Sequence, residues 1–417
     1  MASKLKILFN QYPRQFWLMV AGIVISTAGA SMIWPFLLIY AGGKLNLPLS
    51  TVATLISINA GTGLLASFLA GTLTDKIGRK AVMVFSLVVN GIAYLFLMQA
   101  ETYPQFIALM IFIGLCNPLY QVGADAMMAD IIPTEQRTDA FAINRIAHNA
   151  AFALGPAIGG FLAASSYDLA FYGAAVGFFA HSLLMFLFAH ETLHKTVGAT
   201  NGHSLADQPS VMEGFVRVFR DGDFMAFVVL TGIGLIAPTM VWILMPVYAK
   251  TNFSLSEALY GWIPTTNAVM CVFIQYAVTR ITRHYKTLPV AATGMFIYAV
   301  SVGSVALMSG FWGFWLSMVM LTFGELTLVP TASKYVADTA PADLRGRYMS
   351  VYWLAWGLAR TLSPLIGGFI NDSISPRAIW IGGLLIGMTS TAGLLILNKR
   401  TLAQAALRPQ PKPDSAS

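Results

Sequence analysis

The sequence predicts an all-α polytopic membrane protein of 12 transmembrane helices in two pseudo-symmetric six-helix halves. Three observations carry that reading. The 417 residues are 57% hydrophobic and only 10% charged, with a mean hydropathy of +0.68, whereas soluble domains carry about 25% charged residues. Twelve windows are long and apolar enough to cross a hydrocarbon core, which takes about 20 residues of helix. Seven residues recur at one offset of 208 positions. A β-barrel would instead show short segments of alternating hydrophobicity, and the sequence has no such pattern.

The windows, numbered spans 1 to 12, are 15–41, 48–73, 81–99, 104–130, 138–164, 168–190, 223–249, 256–279, 287–308, 311–338, 346–371 and 377–398. Span 1 follows Lys4, Lys6 and Arg14 as a signal peptide would. It is too long for that and runs on through Trp34 and Pro35, so it is read as a retained span. Residues 71–80, GTLTDKIGRK, are a polar interruption between spans 2 and 3. The longest polar stretch between spans is 191–222, with six spans on either side. The expected organisation is a first half at 1–190, a central loop at 191–222, a second half at 223–398 and a tail at 399–417.

The repeat supports this division. Asp130, Pro133 and Arg137 recur as Asp338, Pro341 and Arg345, and Pro156, Gly159, Gly160 and Phe161 recur as Pro364, Gly367, Gly368 and Phe369. Each half has an even number of spans, so both keep the same orientation. They are then related by an axis along the membrane normal, which places a binding site between them near mid-membrane.

Charge distribution sets the expected orientation. Twenty of the 25 Lys and Arg fall on the side that holds the N-terminus; Lys44, Lys250 and Arg377 fall on the other, and Arg145 and Arg360 lie inside spans. The positive-inside rule therefore predicts that both termini are cytoplasmic. The net charge of +7 needs no nucleic-acid partner. Cys116 and Cys271 lie inside apolar spans of different halves and read as small buried hydrophobes, with no disulfide framework or metal spacing. The sequence carries no Walker-type phosphate loop, no soluble-domain GxGxxG and no metal-ligand set, so neither an enzyme activity nor a cofactor is expected.

The stretch 71–80 is the most specific signal. Gly71 and Gly78 permit close helix approach and a tight turn, Asp75 follows Gly71 by four residues, and Gly78, Arg79 and Lys80 close the run. In this it resembles the motif between spans 2 and 3 of the major facilitator superfamily, a resemblance that extends over all twelve spans. The resemblance implies the facilitator fold, a plasma (bacterial inner) membrane location and a cytoplasmic latch that helps hold the outward-facing state. Asp75 would engage the start of span 11 and Arg79 the Asp130 end of span 4, with Arg137 nearby. The plainer alternative is a basic loop that only sets topology. The second-half counterpart at 279–288, TRITRHYKTL, lacks the Asp and both glycines, so the latch is expected to be one-sided.

Residues 151–160, AFALGPAIGG, resemble the span-5 antiporter motif of the same family, with Gly155, Pro156, Gly159 and Gly160 in place and Ala151 where a glycine is usual. A proline inside a span bends the helix, and small residues beside it let a neighbour pack closely. The motif points to export by antiport; a packing site without bearing on direction is the alternative.

Ionisable residues inside spans are expensive in hydrocarbon and generally face a cavity. Glu325 lies 13 residues from the end of span 10, roughly 20 Å deep. Arg360 lies 14 residues into span 11, at a similar depth of about 21 Å. Glu325 is read as the proton carrier, since a carboxyl there can switch state as its surroundings change. A purely structural Glu325–Arg360 pair is the alternative. Asp125 and Arg145, on adjacent spans, are secondary members that can pair with each other. Arg145 and Asn149 match a pattern of the drug-exporting branch of the family, but the usual span-4 arginine is absent from CNPLYQVGADAMMAD. His148 and His181 can shuttle protons near neutral pH, although a lone histidine in a span is more often a packing residue.

Trp34, Asn117, Tyr120, Trp242, Met245, Trp353 and Trp356 are the expected walls of a central cavity, with membrane-interface anchoring the alternative for each aromatic. Without a dense charge cluster at mid-depth, neutral or weakly cationic amphipathic substrates are favoured. The expected function is proton-coupled export of small lipophilic or amphipathic compounds by a monomer that rocks its two halves, with protons, the substrate and membrane lipids as partners. Export or flipping of a specific metabolite or glycolipid, uptake by symport, and a non-transporting sensor or scaffold remain open at this level.

Overall fold

The computed structural model describes residues 11–193, 211–341 and 343–407. Its long helices are span 1, broken into Arg14–Ile33 and Leu37–Leu45, then Leu49–Ile77, Arg79–Gln99, Tyr103–Ile131, Arg137–Ser165 and Tyr167–Phe188 for spans 2 to 6. Spans 7 to 12 are Gly222–Phe253, Glu257–Thr282, Thr287–Ser304, Gly310–Thr339, Arg345–Ser373 and Ala378–Leu407. A helix satisfies every backbone group internally, which hydrocarbon demands and which explains why no strand occurs among the described residues. The face carrying residues 71–80 and the outer ends of spans 1 and 12 is called the basic face below; the other is the opposite face.

Several boundaries differ from the windows for local reasons. Span 1 breaks into a 3₁₀ turn at Trp34–Phe36, where Pro35 has no N–H to donate. Span 9 stops at Ser304 rather than 308, and a turn then leads to Gly310 at φ 65°. Span 12 runs on to Leu407, beyond 398, with Arg400 held 3.6 Å from Asp223. Within the central stretch a short helix, Val211–Arg220, precedes span 7; residues 194–210 and 408–417 of the expected loop and tail lie outside the described residues.

Ten of the twelve are long and apolar enough to cross a membrane by composition alone. Spans 8 and 11 have the length but not the apolarity, because they carry polar side chains such as Asn267, Gln275 and Arg360 in their middles. Span 8 packs on span 5 and span 11 on span 2, and these are the principal contacts between halves.

Packing inside each half follows the repeat. In the first half span 1 packs on spans 5 and 6, span 2 on 4, and span 3 on 4 and 6; in the second, span 7 packs on 11 and 12, span 8 on 10, and span 9 on 10 and 12. Every pair recurs six spans later. Fully buried Phe16, Phe36, Phe106 and Phe171 fill the first half, and Phe227, Tyr298, Phe314 and Trp380 the second. Since lipid tails are as apolar as these side chains, close van der Waals fit rather than exclusion from water holds the helices together.

Candidate functional site: a cavity between the halves

On the basic face, spans 2 and 3 turn at Gly78, whose φ of 116° is open to glycine and strained for other residues. The turn presents the first N–H groups of span 3, and Glu191 caps them: its two oxygens accept from the Arg79 and Lys80 backbone at 3.0 Å each. A Cβ on Gly78 would lie 2.5 Å from that carboxylate. Burial alone would push the Glu191 carboxyl up, but four backbone N–H donors, from Leu193, Arg79, Lys80 and Thr192, outweigh it and hold the group below its ordinary value. Arg79 reaches Asp75 and Asp130 at 3.2 Å each, and Thr192 donates to Asp130 at 2.8 Å. Arg137 donates to the Ala129 and Ile132 carbonyls at the end of span 4, at 2.7 and 3.2 Å. Lys80 stands 5.6 Å over the Phe186 ring. In the second half, Asp338 pairs with Lys334 of its own helix, at 3.9 Å.

Asp75 does not engage span 11. Its side chain is 68% exposed and pairs with Arg79 of its own half. The reason is a divergence of helices. Gly61 and Leu64 of span 2 meet Thr361 and Gly357 of span 11, but one and two turns further toward the basic face Phe68 is 70% exposed, and neither Gly71 nor Gly346 has an atom within 4 Å of its Cβ position.

Toward the opposite face the halves are shut. Gly160 of span 5 lies against the Glu257 backbone and Gly261 of span 8 against the Pro156 backbone, where added Cβ atoms would each fall 2.2 Å from a carbonyl oxygen. Thr265 donates to the Ala153 carbonyl at 2.6 Å. Buried Glu257 accepts from Lys250 at 2.9 Å and from Tyr167 of the first half. Asp372 of span 11 accepts from the Ser50 backbone at the start of span 2, at 2.8 Å. Gly155 and Gly159 instead seat span 5 on span 1, with Cβ positions 2.7 Å from the Ala28 carbonyl oxygen and 2.0 Å from that of Met32. Ala151 is fully buried.

Closed on one face and splayed on the other, the halves enclose two adjoining cavities that share His148 and Phe152. The larger, about 590 Å³, lies between spans 5, 7, 8 and 10 and is lined by Arg145, Asn149, Trp242, Asn267, Gln275 and Glu325. Glu325 accepts from Asn267 at 2.9 Å, and the same amide donates to Thr322 at 3.0 Å. The smaller, about 370 Å³, is lined by Trp34, Asn59, Asn90, Asn117, Tyr120 and Arg360, among others.

The alternative reading, a Glu325–Arg360 pair, is not what the structure holds, because the two residues open into different cavities. Asp125 does not pair with Arg145 either; it accepts from Gln121 of its own helix at 3.2 Å. Met245 is fully buried in the core of its half rather than on a cavity wall. Trp353 and Trp356 line neither cavity and lie 6.2 Å apart on span 11. His181 is a buried packing residue bonded to Ser26 at 2.9 Å.

Sequence reasoning missed Glu191, Asn267, and the closing contacts of Tyr167, Lys250, Glu257, Ser50 and Asp372. Glu257 and Asp372 lie at span ends, where an acid reads as solvated. An acid one residue past the end of a span window, as Glu191 is, signals a cap only once its partner helix is known.

A family model described as the Major Facilitator Superfamily matches residues 19–241 and again 224–416. The chain belongs to that superfamily. It is a multi-pass membrane transporter rather than an enzyme. It is 26% identical over 93% of its length to the MFS-type transporter YttB of Bacillus subtilis, covering 96% of that protein. It is also 26% identical over 84% of its length to a Na(+), Li(+), K(+)/H(+) antiporter of Planococcus maritimus, covering 86% of it. With the quinolone resistance protein NorA of Staphylococcus aureus it shares 22% identity over 95% of this chain and 99% of that one. Among solved structures, the nucleoside transporter NupG superposes with a TM-score of 0.79 at 11% identity, over 92% of this chain and 100% of that chain. This last likeness speaks for the fold.

Proposed function

We propose that this facilitator is a proton-coupled exporter of small lipophilic or amphipathic compounds, with its basic face and both termini in the cytoplasm. The observation that carries the reading is Glu325, the one acid among the described residues on the walls of the two cavities, set opposite Arg145 of the other half. Ionised Glu325 draws Arg145, and with it span 5, toward span 10. Protonation removes that attraction. A change of about 1.4 kcal/mol in such a term shifts a conformational ratio tenfold, and conformers of a transporter differ by only a few kcal/mol. Asn267 suits both states, since its amide can donate to a carboxylate or accept from a carboxyl.

The cavity opens on the face that carries most of the described Lys and Arg, among them Lys76, Arg79, Lys80, Arg283 and Arg347, so a cytoplasmic compound has access to it. Apolar and aromatic walls such as Phe152 and Trp242 suit a lipophilic body. One relative is named as a cation/proton antiporter and another as a drug-resistance protein. Two arginines against one carboxylate make a poor host for an alkali cation, which favours the organic-compound reading.

The test is transport in proteoliposomes of a lipophilic ligand found by thermal shift. Wild type is expected to move it against its gradient only when a pH gradient is imposed. Glu325→Gln should bind it and lose the gradient-driven accumulation. Undiminished pH-driven transport by that variant would remove Glu325 from the carrier role.

A further inference from the structure

Arg360 belongs to span 11 of the second half, yet every other residue lining its cavity comes from the first half. It makes no hydrogen bond and no ion pair with any described residue. Among the described residues no acid lines the cavity; the polar groups around the guanidinium include Asn59, Asn90, Asn117 and Tyr120. Asp125, one turn beyond Gln121, is occupied by that amide. The adjoining cavity already sets one carboxylate, Glu325, against one cation, Arg145. Arg145 shares its cavity with a carboxylate, whereas Arg360 shares its own with none among the described residues.

Arg360 is exposed to the cavity, and a cation held at mid-depth facing a cavity marks a ligand pathway. Guanidinium presents a planar fork of donors that fits a carboxylate through two parallel hydrogen bonds. Apolar surface stands beside it: Trp34 and Phe152 line the same cavity, whose volume of about 370 Å³ is that of a small-molecule site.

We propose that this cavity is an anion subsite, in which Arg360 receives the carboxylate of an aromatic or aliphatic acid whose apolar body lies against Trp34 and Phe152. The inference rests on the transport reading and narrows it: the preferred substrates are amphipathic acids and zwitterions, in place of the neutral or weakly cationic compounds the sequence favours. A ligand so held touches walls of the first half and a cation of the second, so its binding draws span 11 toward spans 1 to 5.

The test uses three matched probes, 1-naphthylacetate, its primary amide and its methyl ester, titrated into the purified full chain in detergent without a pH gradient. The acid is expected to bind wild type at least about tenfold more tightly than the amide or ester, the size of a charge-assisted hydrogen-bonded pair. Arg360→Gln should reduce the preference to within about twofold, and Arg360→Lys, which keeps the charge and loses the fork, should fall between. Equal binding of the three probes to wild type, absence of binding by any of them, or a preference that survives in Arg360→Gln would each overturn the proposal. The wild-type comparison needs no variant to fold. Proton coupling is read separately: indifference to the carboxylate leaves the Glu325 experiment standing, and failure of that experiment leaves the binding preference intact.

Discussion

The two oxygens of Glu191 accept from the first two N–H groups of span 3 and from the backbone of Thr192 and Leu193, and this cap fastens the end of span 6 to the 71–80 turn. Its folded-state value is held below that of an unfolded chain. The stabilisation it brings is therefore fully present above the ordinary carboxylate range and is lost as pH falls through the folded-state value. Glu191→Gln should lower the unfolding temperature at neutral pH by about 2 °C, the loss of a helix cap in a protein of this size class. The gap between variant and wild type should close in acid; melting curves across pH in detergent would contradict this if the gap stayed constant. The turn itself was legible, since Gly78, Arg79 and Lys80 are contiguous. Glu191 was not, because a cap joins residues 112 and 111 positions apart. Asn267 was hidden for a different reason: an amide in a span gives no charge to notice, although its bond to Glu325 defines the larger cavity.

Span 5 shows how one motif divides its work. Gly155 and Gly159 seat it on span 1 within the first half, whereas Gly160 seats it on span 8 across the closed side of the cavity. Gly155→Ala should act on stability, lowering the unfolding temperature by a few degrees for an overpacking cost of about 1–3 kcal/mol. Gly160→Ala, with its Cβ directed at the Glu257 carbonyl, should instead loosen the opposite face. Hydrogen exchange at residues 48–52 and 250–257 is expected to rise in Gly160→Ala and to stay near wild type in Gly155→Ala. Indistinguishable exchange in the two variants would refute the division. Spans 8 and 11 teach a related point about hydropathy. They fall short of apolarity because Asn267, Gln275 and Arg360 face the cavities rather than lipid, so the two weakest spans by composition both line the path.

At the scale of the whole molecule, the fold was legible because lipid leaves few options: twelve apolar helices and a 208-residue repeat fix two similar halves, and each packing pair of the first recurs in the second. Contacts between the halves were not legible, because they belong to a conformation and not to the sequence alone. Asp75 pairs within its half here since spans 2 and 11 have parted, and Glu325 faces Arg145 rather than Arg360 since each arginine opens into its own cavity. The central claim is that the protonation state of Glu325 sets which face is open. Double electron–electron resonance between spin labels at Thr72 and Ser350, both exposed on the parted ends of spans 2 and 11, measures this directly. In wild type the wide, basic-face-open population should grow as pH falls and shrink as pH rises, while Glu325→Gln should stay wide at every pH. A Glu325→Gln distribution that still titrates like wild type, or a wild-type distribution indifferent to pH, would contradict the account.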